Sequence, residues 1–350
     1  MRYSIMEKIL ALLVAMFLAN CCLAQSDIYD QDVQYNILID SPQDSVIDVT
    51  YEIVTTDSIG DSKTYITASL DSFLIVLRND ITHQDTAKNK LLFYIHGMWG
   101  GRRVNFNKAY KLMSEAYIDH KDSDIARMVS LKWPGNKMEY KQNKKTLYSI
   151  SDTISEVVLK FLDALHIQDV GYEDNGNRVD LIAHSLGTEL LKEVVVYASE
   201  NNKVDQYFDQ VIVAAPDWDI DVFTIDISLY ELEHMANRTH IYYSTRDMTL
   251  SISRNLNKQS RFGLDGPKEN LILPDNVYAV NVTNVKDDNN MPDLMTGHNY
   301  YRASAIVTED ILHAMLGYSE EQFTNRKLSS KYKNLYYVSM PEKVRRDSIR

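Results

Sequence analysis

From Leu91 onward, short, largely apolar runs recur between longer stretches with helical spacing. The runs are Leu91–Ile95, Met128–Trp133, Val179–Ala183, Val211–Ala215, His240–Ser244 and Val277–Val282. A strand with one face in water alternates apolar and polar residues, whereas a run that is apolar throughout is buried on both faces. Between the runs, Asn107–Ala116, Leu147–Leu165, Thr188–Ala198, Phe223–Met235, Leu250–Leu256 and Glu309–Leu316 repeat apolar residues every three or four positions, the period of an amphipathic helix. Strands alternating with helices give the fold class: α/β, a mainly parallel sheet with helices on both faces.

With 350 residues, 45% of them hydrophobic, the chain can bury a sizeable core. Its formal charge of −12 argues against nucleic acid or an anionic membrane as principal partner. Residues 1–24 read as a secretory signal: Arg2 and Lys8 precede the apolar run Ile9–Leu18, and small residues lead to Gln25. Export to the periplasm or medium is the expectation. The alternative is a lipoprotein anchored through Cys21, since Leu18-Ala19-Asn20-Cys21 has lipobox character. Both cysteines, Cys21 and Cys22, lie in this segment, so cleavage after Ala24 leaves no thiol nucleophile.

Residues 25–90 are acidic; Asp48–Thr55 and Phe73–Arg78 read as strands, either leading the same sheet or forming a small lid over it. Residues 324–350 form a basic tail, expected to be solvated in the main, with contact to the acidic body as the lesser alternative.

The strand Val179–Ala183 breaks into His184-Ser185-Leu186-Gly187 and then at once into a helix. A nucleophilic serine needs this strand–turn–helix arrangement, which holds the hydroxyl clear of the sheet and sets the next backbone N–H at a helix start. The bland alternative for Ser185 is a helix cap. Functional groups of a parallel sheet gather at the carboxyl ends of its strands. After Leu91–Ile95 comes His96-Gly97-Met98-Trp99-Gly100-Gly101, whose glycines leave backbone N–H groups free to face an anion. Met98 and Leu186 are the candidate oxyanion donors. His96 is expected to brace this loop. Asp217 follows one strand and Asp247 the next, and either can orient a base histidine. Asp247 is favoured by chain position; Asp217 stands as the alternative acid. His298 lies in a loop beyond the last strand and is the candidate base. His184 is expected to turn to the opposite side of the tight turn in a structural role, and His313 to sit packed or exposed within the last helix. No metal or dinucleotide motif is present, so no cofactor is expected.

Taken together, Phe93-Tyr94-Ile95-His96-Gly97 with Gly100, Trp133-Pro134, Ala183-His184-Ser185-Leu186-Gly187, Ala214-Ala215-Pro216-Asp217, Tyr243-Ser244 with Asp247, Arg261-Phe262-Gly263 and Gly297-His298 resemble the α/β-hydrolase superfamily. Within it they resemble a bacterial group of hydrolases of unknown function. The likeness spans about Leu91 to Leu316 and implies that residues 91–323 form the catalytic domain. It implies a serine hydrolase with Ser185 as nucleophile, Asp247 as acid and His298 as base. A carboxylic ester, small or lipid, is the expected substrate, and an acyl-enzyme the intermediate. A peptidase or thioesterase shares the same triad. The competing reading is a non-catalytic member of the fold that binds a ligand or serves the cell envelope.

Overall fold

Alternation along the central strands sets the two faces of the sheet. On β4 (Lys90–Ile95), Leu91, Phe93 and Ile95 pack to one side, Leu92 and Tyr94 to the other; on β6 (Val179–His184), Leu181 and Ala183 oppose Ile182. Each face is therefore apolar and needs its own cover. Helices α1 (Leu70–Thr82), α3 (Tyr140–Ile167) and α4 (Gly187–Glu200) close the first face. The second is closed by α2 (Arg103–Met113) and α6 (Ala305–Met315). The computed structural model describes residues 33–40, 47–56, 63–84, 87–98, 100–135, 139–167, 179–225, 227–269, 271–287, 296–330 and 332–340. The expected leader at 1–24, with Cys21, lies outside the described residues.

The remaining strands are β1 (Val33–Asp40), β2 (Asp48–Thr56), β3 (Lys63–Ala68), β5 (Ile125–Lys132), β7 (Phe208–Ala214), β8 (Ala236–Tyr243), β9 (Val277–Asn281), β10 (Arg326–Leu328) and β11 (Leu335–Val338). Across the sheet the order is β10-β11-β9-β8-β7-β6-β4-β5-β1-β2-β3. From β11 to β1 all pairs are parallel; only β2, β3 and β10 bring in antiparallel pairing. Thus β9, β8, β7, β6 and β4 lie side by side and end at one edge, where Ser185, Asp217, Asp247 and His96 each follow a neighbouring strand.

Four segments differ from the sequence reading. Phe73–Arg78, expected as a strand, lies within helix α1. The Ser69 side chain accepts the Ser72 N–H at the helix start, and Phe73, Leu74 and Leu77 share the buried face. The β-branched Ile75 that suggested a strand is 45% exposed on the outer side. The region around Phe223–Met235 is not one helix but the short turns Val222–Ile225, Ile227–Glu231 and Leu232–Met235. Its buried residues Leu229, Leu232 and Met235 recur every three positions, which suits tighter winding. The basic tail is not solvated as far as residue 340: β11 joins the sheet beside β9, and β10 pairs back on β11. Arg326 is buried, with its guanidinium donating to both Asp310 oxygens (2.6 and 3.1 Å) and to the Tyr242 hydroxyl (2.8 Å). Residues 341–350 lie outside the described residues. At the other edge β1–β3 extend the same sheet rather than forming a lid, and β1, absent from the sequence reading, carries its own alternation in Tyr35, Ile37 and Ile39.

Candidate active site

Strand β6 and helix α4 meet so closely that the residue between them is forced into the left-handed region. Ser185 has φ of 55°, uncommon for a residue with a side chain. Such a conformation costs of order 1–3 kcal/mol and persists only where its surroundings over-determine it. Here Ser185 N–H donates to the Ala214 carbonyl on β7 (3.0 Å), and the Thr188 N–H and hydroxyl both donate to the Ser185 carbonyl (2.9 and 2.7 Å). A Cβ at Gly187 would stand 2.4 Å from the His96 carbonyl oxygen, so only glycine lets α4 begin against the end of β4.

Asp247 follows β8 and is fully buried. It caps helix α5 (Met248–Asn257): Oδ1 accepts the Leu250 N–H at 2.9 Å. The other oxygen, Oδ2, lies 2.6 Å from Nδ1 of His298. The histidine loop arrives because Met248 N–H donates to the Thr296 carbonyl (2.9 Å), with Gly297 at φ of 64° passing over the Arg246 carbonyl. Nε2 of His298 then stands 2.8 Å from Ser185 Oγ. A carboxylate beside Nδ1 keeps the proton there, which leaves Nε2 as the acceptor facing the hydroxyl. Residues 185, 247 and 298 come from three loops, yet form one continuous hydrogen-bonded line.

The loop after β4 completes the floor. His96 is buried, stacked on Trp133 with ring centroids 5.5 Å apart, and burial pulls its pKa down to about 4. A neutral imidazole has one donor and one acceptor. Nδ1–H donates to the Gly97 carbonyl (2.7 Å) and Nε2 accepts the Trp133 N–H (3.2 Å). It braces the loop and has no nitrogen left for proton transfer. The backbone N–H groups of Met98 and Leu186 take no carbonyl among the described residues, and both residues line a cavity of about 990 Å³ with Ser185 and His298.

A family described as alpha/beta hydrolase of unknown function (DUF900) matches residues 72–316, well over half of the chain. The chain belongs to this family. No curated protein matches it.

In this α/β hydrolase, His184 departs from the expected orientation. It lies against His298, ring centroids 4.6 Å apart, donates Nε2–H to the His298 carbonyl (3.2 Å) and stacks on Tyr301. The turn at Ser185 folds the strand end toward the histidine loop rather than away from it. Burial first, and then the neighbouring His298, hold the His184 pKa well below the usual range. It stays neutral, so His184 adds no positive charge beside His298. His313, in α6, stacks on Tyr318.

Of the two candidate acids, Asp247 and not Asp217 bonds His298. Asp217 is turned under the helices instead: Oδ1 accepts the Ser253 hydroxyl (2.5 Å) and Oδ2 the Tyr140 hydroxyl (2.7 Å). Asn257 donates to both hydroxyls (3.1 Å each), and burial raises the Asp217 pKa. Asp217 thus lines the cavity and ties α3 and α5 to the end of β7. Sequence reasoning missed Tyr140, Ser253 and Asn257, because no local pattern marks partners 36 to 117 positions apart. Arg261, for which the sequence suggests no role, is buried, donates to the Asp217 carbonyl (3.1 Å) and pairs with Asp219, clamping the loop after β7. Among the described residues, no group of three or more His, Cys, Asp or Glu side chains is placed to hold a metal ion.

Proposed function

We propose that this α/β hydrolase is an exported serine hydrolase of carboxylic esters. The observation that carries the reading is the unbroken line from Asp247 through His298 to Ser185, with bonds of 2.6 and 2.8 Å, opening into the cavity. Nε2 of His298 takes the proton of Ser185 as Oγ attacks the ester carbonyl. Negative charge moves to the carbonyl oxygen, where the N–H groups of Met98 and Leu186 receive it. The imidazolium passes its proton to the departing alkoxide, which leaves as the alcohol with the acyl group on Ser185. Water then repeats the sequence: His298 removes its proton, hydroxide adds to the acyl carbon, and the carboxylic acid leaves as Oγ is reprotonated. Asp247 keeps the imidazole in register throughout.

A fluorophosphonate reacts only with a serine activated by its base, so it should label the wild-type protein and not Ser185→Ala. Failure to label the folded wild type would favour the non-catalytic reading. Export is part of the proposal and rests on residues 1–24: N-terminal sequencing of the protein recovered outside the cytoplasm should begin near Gln25. A lipid on Cys21 would replace free export by anchoring.

A further inference from the structure

The helix that Asp247 caps also presents a stripe of apolar side chains to solvent. Met248, Ile252 and Leu256 are spaced four apart, so they stack on one face of α5. They are 61%, 61% and 44% exposed. Single exposed apolar residues are ordinary, but a contiguous row running into a pocket is a recognition surface. Ile252 and Leu256, together with the buried Leu250, line the cavity that holds Ser185. The stripe is therefore the outward continuation of one cavity wall. Its position is fixed at its start by the Asp247 cap and further along by the bond from Ser253 to Asp217.

From this we infer that α5 is the acyl-chain track of the enzyme, and that the substrate is an ester of a medium to long unbranched fatty acid. The inference rests on the serine-hydrolase reading and narrows it. Eight residues of helix advance about 12 Å. With carbon–carbon bonds near 1.5 Å, a zigzag chain on the order of ten carbons covers that length. Each methylene taken fully out of water is worth about fourfold in affinity, so selectivity should accumulate along the stripe. Thr249 and Ser253 of the same helix also line the cavity, with Ser253 bonded to Asp217, while the outer stripe of Met248, Ile252 and Leu256 is apolar.

The test uses 4-nitrophenyl esters from acetate to decanoate, each below the concentration at which it aggregates, with the full chain. Wild-type kcat/KM should climb at least tenfold from acetate to decanoate. The exposed-site double variant Ile252→Ser/Leu256→Ser should reduce kcat/KM on decanoate at least tenfold more than on acetate, mostly through KM. A flat wild-type series, or an equal loss on every ester, overturns the track. A second measurement does not need turnover: decanoate titrated calorimetrically into Ser185→Ala should bind at least tenfold tighter than butyrate. If that preference holds while no ester is hydrolysed, the track survives and the hydrolase reading fails. If hydrolysis depends on Ser185 but neither assay senses chain length, the reverse is true. Should the double variant only abolish self-association in sedimentation, or only abolish flotation with vesicles, the stripe is a docking face and the inference is wrong.

Discussion

The two ends of the central strands both gather buried charge, and they treat it in opposite ways. At the amino ends of β5, β4, β6 and β7, Asp124, Lys90, Asp180 and Asp209 converge: the Lys90 ammonium lies 2.6 Å from Asp209 and 3.5 Å from both Asp124 and Asp180. It also donates to the Met315 carbonyl at the end of α6. One cation serves three carboxylates, and among the described residues Asp124 Oδ1 and Asp180 Oδ2 have no hydrogen-bond partner. At the carboxyl ends, Asp247 has an N–H on each oxygen and no rival carboxylate bonded beside it. Strand β6 carries both extremes, Asp180 near its start and Ser185 just past its end. Buried charge by itself does not mark a functional site. What differs is whether the hydrogen bonds lead to a group that faces an open cavity, as at Ser185, or close on themselves inside the fold.

The sharpest way to break this contrast is to exchange acids for amides at each end. Asp247→Asn removes the acceptor that orients His298, and kcat on a nitrophenyl ester should fall on the order of 10⁴-fold. Retained turnover would mean that the line of hydrogen bonds is structural, as at the other end. Lys90→Met leaves Asp124, Asp180 and Asp209 without their cation and should destabilise the fold by about 3–5 kcal/mol in urea unfolding. The folded fraction should keep the wild-type rate on the same nitrophenyl ester, because the cluster lies at the opposite ends of the strands from the cavity.

Asp180 sharpens the comparison through pH. Burial, opposed by Lys90, pushes its pKa from 3.8 up to about 8. The folded state therefore holds a proton that the unfolded state has lost, and stability should decline as pH rises from about 4 to about 8. Asp180→Asn keeps the neutral shape, and should flatten that decline as followed by melting temperature across the window. An unchanged pH slope would count against a protonated Asp180. The smallest effect is expected at Asp217→Asn, which weakens one helix tie: about 1 kcal/mol of stability and a change in kcat under tenfold. A loss approaching that of Asp247→Asn would restore Asp217 as a participant in the chemistry.

Much of this was readable before any coordinates. Apolar runs specify buried parallel strands because side-chain alternation and full burial are local properties of a strand. Likewise, Ala183-His184-Ser185-Leu186-Gly187 encodes its own turn, and the glycine it needs is adjacent. Chain order points Asp247 and His298 to the sheet edge where Ser185 stands, and the structure brings the three together there. The error at Phe73–Arg78 came from judging six residues by β-branched content, where the cap at Ser69 and the buried face of α1 decide the matter. The tail was misjudged because four strand residues, Leu335–Val338, are outnumbered locally by basic ones.

The sequence by itself determined the fold class, the strained turn at Ser185 and the residue types available to surround it, since each depends on neighbours within a few positions. Only the tertiary structure decided which aspartate meets His298, that His184 supports the same loop, and that Met248, Ile252 and Leu256 continue the cavity wall. Those outcomes depend on how loops from separate strands settle at one sheet edge, and distances of a few ångströms between residues tens of positions apart leave no trace in local pattern.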